Sequence, residues 1–99
     1  MNNKNPYISE LKQQVLKTLK GEKLKIIIFG SRARNDYNAT SDVDIGLIPY
    51  GKIKEDKITI LRDKVEQMNI PYKVEIVNFQ ETSEDFRQEA LRKVMVWKD

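Results

Sequence analysis

Apolar residues recur near the start of the chain with the spacing of one face of a helix. These positions are Ile8, Leu11, Val15, Leu16 and Leu19. Asn5 followed by Pro6 is typical of a helix start, with Asn as the N-cap and Pro at the first helical position. Gly21 is placed to end the helix. The pattern therefore predicts an amphipathic helix that begins at Asn5–Pro6 and ends before Gly21.

Three later segments have the character of strands. Leu24–Phe29 is a short apolar run rich in β-branched residues, which suits a central strand covered on both faces. Residues 42–48 alternate, with Val43, Ile45 and Leu47 on one side. Residues 72–79 form a third candidate strand. Between the first two strands, residues 31–35 can begin a short helix and residues 36–41 have the composition of a loop.

Two more amphipathic helices complete the pattern. Residues 52–68 have one apolar stripe among many charges, made of Ile58, Leu61, Val65 and Met68. A last helix begins at Thr82 or Ser83, with these residues facing inward: Phe86, Ala90, Leu91 and Val94. The order α-β-(short α)-β-α-β-α predicts an α/β fold, a small mixed β-sheet with helices packed on one face.

Length and composition narrow the classes of protein. The 99 residues suffice for one small domain, which we expect to span residues 1–99. The net charge is +3, from 18 basic and 15 acidic residues, too small an excess to indicate nucleic-acid binding by itself. The chain has no cysteine and no histidine, which excludes disulfides, thiolate or histidine metal sites and a histidine base. No apolar run reaches membrane-spanning length and the first residues are polar, so we expect a cytoplasmic protein without membrane contact.

Two aspartates stand one residue apart on the second predicted strand. Asp42 and Asp44 project to the same face, opposite to Val43 and Ile45. Like charges held close resist ionisation, and a divalent cation removes the conflict. Hard oxygen ligands of this kind suit magnesium bound together with substrate phosphates. The alternative interpretation is a solvated pair on an exposed strand.

Gly30 and Ser31 lie between the first strand and a predicted helix start. Glycine lets the backbone approach a ligand closely, and Ser31 adds a hydroxyl. The pattern is neither a P-loop nor a dinucleotide-binding fingerprint. By itself a Gly-Ser after a strand is most simply a turn. The sequence Ser-Asp-x-Asp on the next strand, at residues 41–44, changes that balance and favours a site.

These two segments together resemble a known signature. Residues 30–34 read Gly-Ser-Arg-Ala-Arg and residues 41–44 read Ser-Asp-Val-Asp. They resemble the motif of the nucleotidyltransferase superfamily with the DNA polymerase β fold, and especially the minimal nucleotidyltransferases of bacteria and archaea. The order of predicted elements agrees with that fold along nearly the whole chain. Asn35 stands where the family often has Gly, and Asn tolerates a left-handed turn.

The resemblance implies a set of catalytic and metal-binding residues. Asp42 and Asp44 would bind two magnesium ions, and the family has a third carboxylate on a later strand. Glu75 is the candidate here, where many minimal members have Asp. Val74 and Ile76 would then face the helices. An exposed strand glutamate is the alternative for Glu75.

It also implies a nucleotide site. Gly30 and Ser31 would hold the β- and γ-phosphates of a nucleoside triphosphate, ATP in the first instance. Ser41 belongs to the same motif. Arg32 is our candidate for a further contact with the triphosphate, because a guanidinium matches phosphate geometry. Arg34 then remains a surface residue or a partner contact.

The implied reaction is transfer of AMP from ATP to a hydroxyl on a partner protein. For minimal members the resemblance implies the antitoxin of a toxin–antitoxin pair, whose partner is a HEPN-domain ribonuclease toxin encoded by the adjacent gene and modified on a tyrosine. A 99-residue chain has no room for an acceptor domain, so we expect the partner to supply that surface. The alternative is a non-catalytic antitoxin or nucleotide-binding module that neutralises its partner by contact. Nucleic acid is not expected as a direct substrate, because aromatic residues are not interleaved with a basic surface.

Strand alternation raises one further question. Ile48, Val77 and Phe79 fall on the same side as the carboxylates, where a one-sided helix layer would leave them uncovered. Three covers are possible: a nucleotide base, a partner protein, or the C-terminal segment around Trp97. We expect the C-terminal segment to cover them.

Overall fold

The architecture is a four-stranded sheet with helices on its faces, described by a computed structural model for residues 5–34 and 42–99. The predicted loop 36–41, which ends at Ser41, and the residue before it, Asn35, lie outside the described residues. In chain order the elements are α1 (Pro6–Thr18), β1 (Leu24–Phe29), α2 (Ser31–Arg34), β2 (Val43–Pro49), α3 (Glu55–Glu66), β3 (Val74–Asn78), a 3-10 helix (Phe79–Glu81), α4 (Glu84–Ala90) and β4 (Met95–Lys98).

The sheet is mixed, with the strand order β3-β2-β1-β4. β1 is antiparallel to both β2 and β4, whereas β2 and β3 are parallel. Parallel neighbours need a crossover connection, and α3 supplies it between β2 and β3. In this register Phe29 lies opposite Asp44, and Asp44 lies opposite Glu75. The predicted α/β class with a small mixed sheet is confirmed.

The larger core lies between one face of the sheet and the helices α1 and α3. Its buried members on β1 and β2 alternate along each strand, which was predicted for β2. Asn5 is the N-cap of α1, since its Oδ1 accepts hydrogen bonds from the backbone N–H of Tyr7 at 3.0 Å and of Ile8 at 3.2 Å. Gly21 follows the helix with φ +87°. Both predicted boundary signals of α1 are confirmed.

A second, smaller core covers the opposite face of the sheet. Ile27, Phe29 and Phe79 are buried there, and Ala90 of α4 packs against them. The ring of Phe86, also on α4, lies edge-on to Phe29 at 5.9 Å between centroids and to Phe79 at 5.8 Å. The helix layer predicted for one face therefore consists of α1 and α3, while α4 packs on the other.

The residues predicted for this second face do lie there. α4 packs against them, whereas Trp97 does not. Ile48 and Val77 pack against the smaller core together with α4. Trp97 lies on β4 and packs against the larger core instead, so the expectation that its segment covers the second face was wrong. Side chains alternate along β4, so Trp97 lies on the face covered by α1 and α3. Val96 lies on the opposite face and is exposed.

The C-terminal quarter departs furthest from the predicted order. α4 ends at Ala90, where the prediction extended the helix to Val94. Leu91, predicted to face inward, is the C-cap residue and is 43% exposed. Met95–Lys98 then forms a fourth strand that the pattern did not predict, paired with β1 through an irregular register. Nζ of Lys98 donates a hydrogen bond to the backbone oxygen of Leu24 at 3.0 Å.

The other predicted boundaries differ by a few residues. β2 begins at Val43, so Asp42 precedes it. β3 is shorter than 72–79, and α3 is shorter than 52–68. Within residues 5–34 and 42–99, no helix has the length and apolar character needed to cross a membrane.

Candidate active site

The site begins at Gly30, where β1 ends and α2 starts. Gly30 has φ +77°, a backbone conformation that residues with a Cβ rarely adopt. Its carbonyl oxygen accepts hydrogen bonds from the backbone N–H of Ala33 and of Arg34, both at 3.1 Å. A sharp turn therefore joins a buried strand to a single helical turn, and it places Ser31 at the start of that turn, half-buried.

Asp44 lies directly against this turn. A Cβ built on Gly30 would lie 3.2 Å from Cγ of Asp44 and still closer to its Oδ2. Glycine at position 30 is thus required both by its backbone conformation and by the space that the carboxylate occupies. The structure brings together Gly30, Ser31 and Asp44, which the sequence linked only through a motif.

The carboxylates share one face of the sheet. Asp44 and Glu75 are opposite residues on the parallel strands β2 and β3, and Asp42 stands two positions before Asp44. Burial, and then the negative charges of Asp42 and Glu75, raise the pKa of Asp44, while the nearby charge of Arg34 lowers it. These side chains are therefore close enough to repel one another, as the sequence predicted.

Glu75 is paired with Lys73, the residue just before β3. Nζ of Lys73 lies 3.2 Å from Oε1 of Glu75, and both side chains are largely open to solvent. The hydrogen bond to Glu75 and the charges of Glu75 and Asp42 raise the pKa of Lys73. The ammonium group of Lys73 thus partly balances the negative charges of Glu75 and Asp42.

The chemistry of this face fits a divalent cation. Three hard oxygen donors on neighbouring strands, one of them half-buried with an elevated pKa, form a donor set that magnesium prefers. Their side chains are not gathered around one point: where the structure describes the chain, no three His, Cys, Asp or Glu side chains are grouped so that they could hold a metal ion. The pairing of Glu75 with Lys73 is one physical reason.

Arg32 has a packing role that the sequence did not predict. It is only 5% exposed, and its Cζ lies 4.4 Å from the centre of the Tyr72 ring. The hydroxyl of Tyr72 accepts a hydrogen bond from Nδ2 of Asn5 at 3.0 Å, and the ring of Tyr7 lies edge-on at 6.1 Å. Arg32 therefore joins α2 to the start of α1 and to the residues before β3.

Arg34 is the arginine whose charge acts on Asp44. It follows Ser31 by three positions, so the two residues share a side of the short helix α2. Sequence reasoning considered both arginines and chose Arg32. The i, i+3 spacing from Ser31 was the signal that favours Arg34. The contact of Arg32 with the triphosphate stays a prediction, as does the role of Ser41, which lies outside the described residues.

Comparison with known families identifies the family of this chain. Residues 11–99 match the polymerase β nucleotidyltransferase family, and the chain belongs to that family. The predicted membership is confirmed.

A comparison with individual proteins makes the family assignment more specific. The chain is 34% identical over 71 residues to the "probable protein adenylyltransferase MntA" of Haemophilus influenzae, a match that covers 69% of this chain. The match spans 59% of the relative's length. The resemblance to the minimal nucleotidyltransferases, made from the motif, is therefore confirmed at the level of a homologue.

Solved structures share the fold at low sequence identity. One is a toxin–antitoxin crystal structure with AMP-PNP (TM-score 0.65, 20% identity, 87% of this chain and 71% of that one). A mutant of the toxin–antitoxin MntA-HpeT gives a TM-score of 0.64 at 18% identity, with the same coverage. A candidate nucleotidyltransferase of Sulfolobus solfataricus gives 0.53 at 23% identity, covering 93% of this chain and 83% of that one. At these identities the likeness supports the fold.

Proposed function

We propose that this protein transfers AMP from ATP to a hydroxyl group of a partner protein and acts as the antitoxin of a toxin–antitoxin pair. The observation that carries the proposal is the placement of Asp44, which lies against the Gly30 turn on one side and opposite Glu75 on the other. Nucleotidyl transfer needs such an arrangement, because the triphosphate and the acceptor must meet at one carboxylate face.

Each residue of the site has a defined task in this proposal. Gly30 lets the backbone approach the phosphates, and the Ser31 hydroxyl, with that of Ser41, binds phosphate oxygens. Asp42, Asp44 and Glu75 would hold two magnesium ions. Bound there, magnesium would neutralise charge on the phosphates and favour ionisation of the acceptor hydroxyl.

The reaction exchanges one bond to the α-phosphorus for another. The acceptor oxygen forms a bond to the α-phosphorus, and the bond from that phosphorus to the oxygen bridging to the β-phosphate breaks. Pyrophosphate leaves with the electron pair, and the hydroxyl proton passes to water. The carboxylate face carries no histidine, so positioning and charge neutralisation supply the catalysis.

The proposed partner is a HEPN-domain ribonuclease toxin encoded by the adjacent gene. The toxin–antitoxin structures with this fold and the MntA relative support a toxin as partner, and the AMP-PNP complex supports a nucleoside triphosphate as ligand. A tyrosine acceptor, a cytoplasmic location and a single minimal domain over residues 1–99 belong to the same proposal.

The test measures transfer of the labelled α-phosphate of ATP to the partner protein. Wild type and Asp44→Asn are incubated with ATP labelled at the α-phosphate, magnesium and the product of the adjacent gene. Asp63→Asn, on the exposed side of α3, is the control carboxylate. We expect label on the partner with wild type and Asp63→Asn, and none with Asp44→Asn. Equal labelling by Asp44→Asn would reject the proposed catalytic site.

A non-catalytic antitoxin is the second candidate, and the pairing of Glu75 with Lys73 favours it, because it leaves the third carboxylate engaged by an ammonium group. The double variant Asp42→Asn/Asp44→Asn separates the two candidates in cells that express the toxin. Full neutralisation of the toxin by the double variant would support a docking antitoxin. Loss of neutralisation, with the complex still formed in a pull-down, would support chemistry.

A further inference from the structure

Lys73 places a positive charge on the carboxylate face. Its Nζ lies 3.2 Å from Oε1 of Glu75, and the charges of Glu75 and Asp42 both act on the ammonium group. Lys73 comes two residues before Glu75, so alternation along the extended chain directs both side chains to the same face. A divalent cation held by Asp42 and Glu75 would lie close to the ammonium group, and the two positive charges would repel each other.

The ion pair between Lys73 and Glu75 is of a kind that a metal ion can break. The two side chains are 69% and 47% exposed. Ion pairs open to water are weak, because water screens the charges and both long side chains lose conformational freedom. A divalent cation carries twice the charge of an ammonium group and binds carboxylate oxygens directly. It can therefore take the place of Lys73 beside Glu75.

A cavity beside β3 gives the lysine another place. Its volume is about 600 Å³, and Lys73, Glu75 and Glu66 all lie on its wall, together with apolar side chains such as Val65 and Tyr72. The long methylene stem of a lysine packs on apolar surface while its ammonium group stays in water. The cavity therefore has room for the side chain of Lys73, and it offers a second carboxylate in Glu66.

We propose that Lys73 is a displaceable counter-ion of Glu75, which holds this carboxylate in the metal-free protein and must leave before Glu75 can bind magnesium. The inference rests on the proposed function and adds to it a positioning residue that sets the metal affinity of the site. Lys73 acts through Glu75 and does not touch the reacting atoms. Its hold on Glu75 agrees with the observation that, within residues 5–34 and 42–99, the carboxylates are not grouped around a metal position.

The test measures binding of Mn²⁺ to the full chain without nucleotide or partner. Mn²⁺ binds the same oxygen ligands as magnesium, and electron paramagnetic resonance counts the free ion. Lys73→Met removes the ammonium group and keeps an unbranched side chain, and we expect it to bind Mn²⁺ about threefold more tightly or better. Lys73→Arg keeps the positive charge, so it should not bind Mn²⁺ more tightly than wild type.

Lys64→Met is the control for the loss of one positive charge. Lys64 is exposed on α3 and does not line the cavity. Charges that lie apart in water are largely screened, so its Mn²⁺ affinity should stay within about 1.5-fold of wild type. Melting curves of each variant show that the fold is kept.

Glu75→Gln separates displacement of Lys73 from simple repulsion between Lys73 and the metal. Alone it should weaken Mn²⁺ binding, because it removes a carboxylate ligand. Adding Lys73→Met to Glu75→Gln should then change the affinity by less than about 1.5-fold, because Lys73 no longer has Glu75 to hold. Mn²⁺ affinity of Lys73→Met no higher than that of wild type would overturn the inference. An equal gain with and without Glu75 would overturn it too.

The inference and the proposed function fail separately. Mn²⁺ binding that does not depend on Lys73, with label transfer that depends on Asp44, removes only the task of Lys73. Tighter Mn²⁺ binding by Lys73→Met that requires Glu75, without label transfer by wild type, removes only the proposed reaction.

Discussion

The carboxylate of Asp44 occupies the space in which any residue other than glycine at position 30 would carry its Cβ. The two residues come from neighbouring antiparallel strands, since Phe29, just before Gly30, pairs with Asp44. Strand pairing alone therefore brings the turn and the carboxylate together. The geometry of the site depends on the register of β1 and β2, which the larger core fixes.

We expect Gly30→Ala to lose stability and nucleotide binding together. The left-handed backbone at φ +77° costs a residue with a Cβ about 1–2 kcal/mol, and the added methyl must also displace the Asp44 carboxylate. Urea unfolding measures the first effect, and ATP binding by calorimetry measures the second.

Gly21→Ala is the matched control. Gly21 has φ +87°, yet a Cβ there would have no atom within 4 Å. This variant should lose a similar free energy of unfolding and keep nucleotide binding. Normal ATP binding by Gly30→Ala would show that the close contact with Asp44 does not matter for the ligand.

Asp44→Asn should raise the melting temperature of the metal-free protein at neutral pH. Burial and the charges of Asp42 and Glu75 raise the pKa of Asp44, so the folded protein binds this proton more tightly than the unfolded chain. The contribution of Asp44 to stability is then complete below its unfolded pKa, about 3.9, and is lost as the pH rises through its folded pKa. Asparagine at position 44 stays uncharged at every pH, so the variant avoids this loss of stability.

Thermal melts across the pH range give the measurement. The gain of Asp44→Asn over wild type should be present at pH 7 and disappear below about pH 3, where both proteins are uncharged at this position. Magnesium should raise the melting temperature of wild type and leave the variant nearly unchanged, because ligand binding stabilises only the protein that binds it. A variant that melts below wild type at pH 7 would contradict the repulsion of Asp44 by Asp42 and Glu75.

Arg32 and Tyr72 should be energetically coupled. A guanidinium stacked on an aromatic ring contributes about 0.5–2 kcal/mol, more when it is buried, as Arg32 is. A double-mutant cycle of Arg32→Met and Tyr72→Leu, followed by urea unfolding, measures that coupling.

The pair Arg92 and Glu89 provides the comparison. Their ion pair spans 3.4 Å on side chains that are about three-quarters exposed, and such surface pairs contribute from nothing to about 1 kcal/mol. A coupling between Arg32 and Tyr72 no larger than that of Arg92 and Glu89 would show that the stack is not a stabilising contact.

Gly46→Ala should destabilise the protein by overpacking the smaller core. A Cβ at Gly46 would lie 2.7 Å from Cε1 of Phe79 and 2.9 Å from Cγ1 of Ile27. Forcing a methyl into a packed site costs about 1–3 kcal/mol. Adding Phe79→Leu should return part of that loss, since it removes the ring that the methyl meets.

Gly51→Ala tests the same substitution in open space. No atom lies within 4 Å of a Cβ at Gly51, so its free energy of unfolding should stay close to that of wild type. Equal losses at both positions would show that the close contact with the Phe79 ring does not set the cost at Gly46.

The sequence predicted the carboxylate face because alternation is unambiguous where one side is apolar. Val43 and Ile45 define the buried side of β2, so Asp42 and Asp44 had to share the other. The same argument placed Glu75 correctly on β3.

The second core was not predictable by the same means. Leu24–Phe29 is apolar almost throughout, so its pattern does not say which element covers Ile27 and Phe29. β4 has four residues, too few for a periodic signal, and its pairing with β1 is irregular. The different places of Arg32 and Arg34 could have been predicted, because Arg34 follows Ser31 at the i+3 position of the short helix.

The strand order has a consequence for synthesis of the chain. β1 is flanked by β2 and by β4, and β4 is made from residues that lie about seventy positions later in the sequence. Until those residues have been added, β1, the strand that ends at the Gly30 turn, has one unpaired edge. Contacts so distant in sequence form slowly, so we expect the pairing of β1 with β4 to be a late step of folding. The carboxylate face is therefore complete without β4, since Asp44 and Glu75 lie on β2 and β3, on the other side of β1.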